Sequence, residues 1–129
     1  MEKKHYLPLS ESVLSQTFTD FELLVIDDCS SDQTEEVANN YAKKDNRIKV
    51  LGFKENKGRC AARNLGIENA SGVWNCFLDS DDIYFDNHLD VLAQLIEENT
   101  SYFAFVTNQI VKEKPKTYEQ KNYYNKNLL

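Results

Sequence analysis

The sequence contains few of the residues that nucleophilic and zinc-dependent enzymes use. It has two histidines and three cysteines among 129 residues. His5 lies near the start of the chain, and we expect His88 on the exposed side of an acidic helix, which argues against a Cys–His or Ser–His nucleophile system. Cys29, Cys60 and Cys76 show no spacing typical of metal ligands. We interpret Cys60 and Cys76 as small core residues, and Cys29, beside two acids, as a poor thiolate.

The sequence also lacks a basic surplus and a long apolar run. Its 15 basic and 21 acidic residues give a formal net charge of −6 at pH 7, which argues against nucleic acid as a partner because phosphate backbones attract basic surfaces. No apolar stretch approaches membrane-spanning length, and the opening "MEKKHYLPL" does not resemble a secretory signal. With an odd number of cysteines, these features predict a cytoplasmic location, where any membrane association depends on a partner.

The composition is typical of a folded globular protein, with 41% apolar and 28% charged residues. A chain of 129 residues predicts one domain. We place this domain at residues 1–112. The polar, tyrosine-rich segment at residues 113–129 is predicted to be either a short helix or a loose tail.

Strand and helix patterns alternate along the predicted domain. Strands are predicted at Phe21–Asp28, Ile48–Phe53, Val73–Asp79 and Ser101–Asn108, and helices at Leu9–Gln16, after Ser30–Asp32, at Arg59–Ala70 and within Asp86–Asn99. The first strand is a continuous apolar run, which is typical of a strand buried on both faces. This alternation predicts an α/β fold with a largely parallel sheet.

Acidic residues follow two of the predicted strands. Asp27 and Asp28 end the first strand, and Asp79, Asp81 and Asp82 end the third. Each cluster alone is more typical of a solvated turn. However, ligands of open α/β sheets bind beyond the carboxyl ends of the strands, where both clusters would meet. Their convergence therefore favours a ligand site.

The spacing of Asp79, Ser80 and Asp81 suits a hard cation. In an extended chain, residues two apart point to the same side, so both carboxylates could face one ion. Oxygen ligands favour Mg²⁺ or Mn²⁺ over zinc, and Mg²⁺ commonly shares its coordination shell with phosphates. Asp82 is a candidate third ligand, a residue that orients the ligands, or the cap of the following turn.

The block "NKGRCAARN", Asn56 to Asn64, adds a cationic element. A glycine turn that leads into a helix exposes N–H groups suited to phosphate. Lys57, Arg59 and Arg63 lie in or near the first turn, and the two arginines share one helical face. The alternative is that these arginines are solvated and pair with surplus acids, because the pattern is weaker than a true phosphate loop.

Three ordered blocks carry a resemblance to a known family. They are "SVLSQTFTDFELLVIDDCSSDQT", "NKGRCAARNLGIENASG" and "FLDSDD". Together they closely resemble the donor-binding half of family 2 inverting glycosyltransferases, over roughly Tyr6 to Val106. The resemblance implies a Rossmann-like GT-A nucleotide-diphospho-sugar transferase fold. In this chain the fold would be partial, with three layers and a mostly parallel sheet.

The resemblance also implies roles for individual residues. Asp28 would contact the base of a nucleotide-sugar, with UDP-sugar as the expected donor. Three residues would flank the nucleotide pocket: Asn56, Gly58 and Arg63. Asp79 would lie near the ribose and the metal, and Asp81, the second acid of this DxD-type motif, would be the direct ligand of Mn²⁺ or Mg²⁺. A bridging cation would stabilise the charge on the departing nucleoside diphosphate. The expected acceptor is a glycan or a lipid-linked sugar in polysaccharide biosynthesis.

The chain departs from the family pattern at two places. Family members begin with an apolar strand, between the strands that correspond to "ELLVID" and "CFLD", where this chain has only "MEKKH". The acceptor-side half, with its catalytic base carboxylate, would follow Asn108, and we assign no base here. We therefore expect a glycosyltransferase fragment. Its flanking strands would either pair directly, or self-association or a partner would cover the open edge.

Two other hypotheses remain at this point. A signalling receiver domain also places an acid pair after one strand and a phospho-acceptor aspartate after another, so Asp27, Asp28 and Asp79 could form such a pocket. That hypothesis leaves the "NKGRCAARN" block unexplained. The other hypothesis is a non-catalytic interaction fragment that uses its open sheet edge for association. Oligomerisation without nucleotide affinity would favour it.

Overall fold

The computed structural model of the chain describes residues 6–107, 109–113 and 116–120. Their helices and strands follow the order α1 (Tyr6–Leu14), β1 (Leu23–Asp27), α2 (Thr34–Ala42), β2 (Ile48–Gly52), α3 (Arg59–Asn69), α4 (His88–Glu98), β3 (Gln109–Glu113) and β4 (Lys116–Gln120). The chain divides into two compact units, Met1–Val91 and Leu92–Leu129. This division differs from the boundary predicted at residues 112 and 113.

The first unit is built around a β1–α2–β2 arrangement. β1 and β2 are parallel, and their register runs from Leu23 opposite Ile48 to Asp27 opposite Gly52. A parallel pair needs a crossover connection, which α2 provides by packing against both strands. α3 packs against β1. The predicted α/β class and its parallel strand pairing are therefore confirmed.

α2 and α3 begin where their sequences predict, whereas α1 spans Tyr6–Leu14 instead of the predicted Leu9–Gln16. Asp32 Oδ1 accepts the N–H of Thr34 at 2.9 Å, at the first residue of α2. Glu35 and Glu36 occupy the first turn, where the helix dipole favours carboxylates. In the core, Ala38 of α2 is fully buried. α3 ends at Asn69, one residue before the predicted end.

The predicted third strand, Val73–Asp79, does not form. Among the residues that the structure describes, β1 pairs with β2 alone, so the predicted direct pairing of β1 with Val73–Asp79 is absent. An isolated segment cannot satisfy strand hydrogen bonds without a partner, and Val73 is 93% exposed. Cys76 is consequently exposed instead of buried, and Cys60, in the first turn of α3, is exposed as well. Our assignment of both cysteines to the core was wrong.

The predicted burial of β1 and the predicted fourth strand also need correction. Leu23, Leu24, Val25 and Ile26 are half-buried instead of fully buried, because only one strand flanks β1 within the described chain. Residues 101–107 form no strand, and Asn108 lies outside the described residues. Strand propensity depends on pairing and burial, which this segment lacks.

The second unit contains a β-hairpin that the sequence pattern did not predict. β3 and β4 are antiparallel, from Gln109 opposite Gln120 to Glu113 opposite Lys116. Strand β4 thus lies where we predicted a short helix or a loose tail. Pairing with β3 satisfies its backbone groups, and this pairing is a non-local effect that the polar composition of the segment did not indicate. Residues 121–129 lie outside the described residues.

Candidate functional site

Asp28 lies directly after β1 and binds the loop that precedes α3. Its Oδ1 accepts the N–H of Lys57 at 2.7 Å, and its Oδ2 accepts the N–H of Gly58 at 2.7 Å. Asn56 Nδ2 donates to the Asp28 carbonyl at 3.1 Å. We call this arrangement the Asp28 clamp. It brings together three predicted site residues at the carboxyl end of the parallel pair.

Gly58 gives the clamp its geometry. Its φ of 84° lies in the left-handed region that favours glycine. It is also the N-cap of α3, and its carbonyl accepts the N–H of Ala62 at 3.1 Å. We predicted that N–H groups of this turn would be exposed to phosphate. The N–H groups of Lys57 and Gly58 are instead occupied by the Asp28 carboxylate.

Arg63 connects α3 to the acidic loop, which we define as residues Asp79–Asp82. Its Nη2 lies 2.9 Å from Asp79 Oδ1, and both side chains are about half-exposed. An exposed ion pair contributes little to stability, about 0–1 kcal/mol. Its value here is positional, because it places one acid of the loop beside the helix that follows the Asp28 clamp. For Arg63, the structure therefore shows the alternative given above, in which an arginine of this block pairs with an acid.

The acidic loop is a turn and not an extended segment. The N–H of Asp82 donates to the Asp79 carbonyl at 3.0 Å, which closes the turn across Ser80 and Asp81. The condition under which Asp79 and Asp81 would point to the same side, an extended chain, is therefore not met. α4 begins at His88, six residues after Asp82.

Crowding of carboxylates affects the protonation of the acidic loop. Desolvation by burial, and then the charges of Asp81 and Asp79, raise the pKa of Asp82. Nearby like charges destabilise the ionised form, and a bound cation would reverse this effect. Within residues 6–107, 109–113 and 116–120, no three His, Cys, Asp or Glu side chains are arranged in a ready metal site.

The Tyr84 side chain joins the segment after the acidic loop to the segment before it. Sequence analysis did not identify Tyr84 as a site residue. Its Oη donates to the Phe77 carbonyl at 2.9 Å. Its ring stacks on His88, with centroids 3.9 Å apart and an angle of 16° between the planes. Burial is the main cause of a raised pKa for Tyr84 and of a lowered pKa for His88. Our placement of His88 on an exposed helix face was wrong. The sequence offered one indication of a role for Tyr84, which is its position two residues after the last of three clustered acids.

No helix in the described part of the chain is both long enough and apolar enough to cross a membrane.

A family model and individual relatives both match this chain. The model for glycosyl transferase family 2 matches residues 4–128. An uncharacterized glycosyltransferase of Rickettsia felis is 44% identical over 109 residues, which are 84% of this chain and 18% of that protein. A glycosyltransferase of Escherichia coli, named for transfer from UDP-Glc to α-D-GlcNAc-diphosphoundecaprenol, is 40% identical over 78% of this chain and 39% of its own length.

A third relative and a solved structure agree with these matches. The putative teichuronic acid biosynthesis glycosyltransferase of Bacillus subtilis is 38% identical over 73% of this chain and 37% of its own length. The crystal structure of Staphylococcus aureus TarS, residues 1–349, superposes with a TM-score of 0.70 and 34% identity, over 75% of this chain and 29% of that chain. This likeness confirms the predicted partial Rossmann-like fold. The chain spans about a fifth to two fifths of the curated relatives described here.

Proposed function

Because this chain belongs to glycosyltransferase family 2, we propose that it forms the donor-binding part of an enzyme that transfers a sugar from a nucleoside-diphosphate sugar. The observation that carries this proposal is the Asp28 clamp, which fixes a carboxylate and the start of α3 at the carboxyl end of β1. Ligands of parallel α/β sheets bind at such an edge. Family membership also removes the reason for the receiver-domain hypothesis.

The proposed nucleotide pocket contains Asp28, Asn56, Gly58, Arg63 and Asp79. Each carboxylate oxygen of Asp28 accepts one backbone N–H and retains a second lone pair. The remaining lone pairs can accept an N–H from a uracil base, which is the role we propose for Asp28. The printed name of the Escherichia coli relative begins with UDP-Glc, which supports a UDP-sugar as donor.

We place the proposed cation, Mn²⁺ or Mg²⁺, at the acidic loop. Asp81 is the proposed direct ligand, Asp79 the second, and Asp82 a candidate third. Desolvation first, and then the charges of Asp81 and Asp79, raise the pKa of Asp82, and a nearby cation would counteract the repulsion among these charges. When bound, the ion would supply positive charge to the diphosphate that leaves the sugar. Arg63, paired with Asp79, would hold that acid in place.

The acceptor side is a broader proposal. The names of two relatives refer to teichuronic acid biosynthesis and to a diphosphoundecaprenol-linked sugar. They support a glycan or a lipid-linked acceptor. We assign no catalytic base to a residue of this chain. A cytoplasmic location, with membrane association through a partner, stays a prediction from the sequence.

We also propose that the chain self-associates through the open edge of β1. Leu23 N donates to Arg47 O at 2.8 Å on the β2 side. In a parallel pair, alternate residues bond to the same neighbour, so the backbone groups of Leu24 and Ile26 face the opposite edge. A strand of a second copy could pair there. Sedimentation velocity at increasing concentration should show a dimer, and a monomer at all concentrations would contradict this proposal.

Calorimetric titration of UDP tests the proposed donor site. Binding should strengthen when Mn²⁺ is present, and Asp81→Ala should abolish that increase. Asp20→Ala removes an equally exposed acid that precedes β1 and serves as the matched control. An increase that Asp81→Ala retains would place the metal elsewhere. Absence of UDP binding to the folded wild-type chain would favour the hypothesis of a non-catalytic interaction fragment.

A further inference from the structure

Gln16 is a buried polar residue that follows α1. Only 4% of it is exposed. Its Nε2 donates to the carbonyl oxygens of Ser12 at 2.9 Å and Phe85 at 2.6 Å. Its Oε1 accepts the N–H of Leu89 at 2.8 Å. Both amide hydrogens and the amide oxygen therefore have partners, so the orientation of this side chain is fully specified.

Two of these bonds reach the segment that follows the acidic loop. We call Tyr84–Leu89 the anchor segment, and it begins two residues after Asp82. Neighbours of Gln16 bind the same segment. Tyr84 N donates to Ser12 Oγ at 3.3 Å, Thr17 N donates to Asp86 O at 2.9 Å, and Ser15 Oγ donates to Asp86 Oδ1 at 3.3 Å. Gln16 alone among these side chains bonds to the anchor segment at two backbone positions, Phe85 and Leu89.

The bond to Leu89 also stabilises the start of α4. The first N–H groups of a helix have no partner within the helix, and Leu89 is the second residue of α4. Gln16 supplies the missing acceptor from a distant part of the chain. One side chain therefore holds both the entry to α4 and the chain just before it.

The acidic loop is consequently held at both ends. At its first residue, Asp79 pairs with Arg63. Beyond its last residue, the anchor segment is hydrogen-bonded to Gln16. The Tyr84 hydroxyl also donates to the carbonyl of Phe77, which precedes the loop. Asp81 and Asp82 lie in sequence between these two attachments.

We propose that Gln16 is a positioning residue, which sets the geometry of the acidic loop through the anchor segment and thereby sets the affinity for the metal–diphosphate group. This inference rests on the proposed donor site. Gln16 itself touches neither the cation nor the nucleotide. Residues that orient metal ligands typically change metal affinity by about ten- to a hundredfold when they are replaced.

Two substitutions at Gln16 separate its contacts. Gln16→Met preserves the size of the side chain but removes all three hydrogen bonds. Gln16→Glu keeps an acceptor for Leu89 N–H, and so keeps α4 capped, but when it is ionised it loses donation to both Ser12 O and Phe85 O. Ser15→Ala is the matched control, because it removes one exposed bond to the same anchor segment.

The first measurement is amide hydrogen exchange without metal or nucleotide, which does not depend on the proposed donor site. Gln16→Glu and Gln16→Met should accelerate exchange at the Asp82 N–H, which bonds to Asp79 O. Ser15→Ala should leave this exchange unchanged. If exchange changes only at Leu89 while Asp82 stays as in the wild type, Gln16 is a helix cap alone and the inference is overturned.

The second measurement is UDP titration with and without Mn²⁺. The metal-dependent gain in affinity should fall about ten- to a hundredfold in both Gln16 variants, whereas metal-free UDP affinity stays unchanged. Equal losses with and without metal would contradict a role at the acidic loop. If the wild type shows no metal-dependent gain, the proposed donor site fails, and the exchange of Asp82 still decides whether Gln16 positions the loop.

Discussion

The carboxylate of Asp28 lies 2.7 Å from the amide nitrogen of Gly58, and this hydrogen bond joins the end of β1 to the start of α3. The two residues are 30 positions apart in sequence. One oxygen of the same carboxylate also binds Lys57 N–H. A single side chain thus connects the first predicted acid cluster to the glycine turn of the second block.

Asp28→Asn should weaken both the fold and the donor site. An amide has one acceptor oxygen, so one of the two N–H groups would face an NH₂ group and lose its partner. We expect a loss of about 1 kcal/mol in the free energy of unfolding, measured in urea, and weaker UDP binding. Asp20→Asn is the control. Unchanged stability and UDP affinity in a folded Asp28→Asn variant would contradict the importance of the clamp.

Glycine substitutions in and near α3 should have opposite signs. Gly58→Ala meets no atom within 4 Å, so its cost comes from the backbone conformation alone, φ 84° and ψ 163°, and we expect about 1–3 kcal/mol of destabilisation. Gly66→Ala would place its Cβ in ordinary contact with Ile26, at 3.7 Å. Its better helix propensity should increase stability by up to about 1 kcal/mol. Thermal and urea unfolding measure the stability of both variants. If the two substitutions destabilise the protein equally, the assignment of strain to Gly58 is refuted.

Cys29 has a φ of 64°, in a region that side chains disfavour. Cys29→Gly should relieve a cost of about 1–2 kcal/mol, offset in part by the greater freedom of glycine in the unfolded chain. We expect a net gain of up to about 1 kcal/mol in the free energy of unfolding. Cys29→Ala retains a Cβ and should give no such gain. If alanine stabilises as much as glycine, the effect does not arise from the backbone.

Glu22 should make stability depend on pH in the acidic range. Its carboxylate pairs with Lys49 Nζ at 2.8 Å and accepts N–H groups of Ser71 at 2.5 Å and Gly72 at 3.1 Å. These bonds lower the pKa of Glu22 from 4.5 to about 2. The bond to Lys49 is the largest cause, and the bonds to Ser71 follow. Because the folded state binds this proton less readily than the unfolded state, the stabilisation is present above pH 4.5 and is lost as pH falls to about 2.

Glu22→Gln should therefore flatten the decline of stability across this pH window. The measurement is urea unfolding at successive pH values. Glu68→Gln, at an exposed position of α3, is the matched control and should keep the wild-type slope. A Glu22→Gln variant with the wild-type slope would show that other carboxylates cause the decline.

Local sequence patterns predicted the elements whose determinants are local. The carboxylates near the start of α2, the glycine before α3 and the apolar runs of β1 and β2 are each contained in a short segment. Val73–Asp79 has an equally apolar pattern, yet it forms no strand, because a strand needs a neighbour to bond with. The pattern of one segment carries no information on whether that neighbour is present.

The residues of the candidate site were likewise predicted only in part. Asp28, Asn56 and Gly58 were each predicted to lie at the nucleotide pocket, and the structure shows that they contact one another. The resemblance provided this prediction, since their separation in sequence does not. Gln16 and Tyr84 were missed because their partners are backbone groups, and sequence does not identify which backbone groups a distant side chain will reach. The sequence alone does not distinguish a buried glutamine from a solvated one.

The most direct test of the account is an amide NMR titration of the full chain with UDP, followed by paramagnetic Mn²⁺. We predict that UDP shifts the signals of Lys57 and Gly58 and that Mn²⁺ then broadens those of Asp81 and Asp82. Asp20 should remain unaffected throughout. UDP shifts that avoid the clamp, or broadening that avoids the acidic loop, would contradict the proposed donor site.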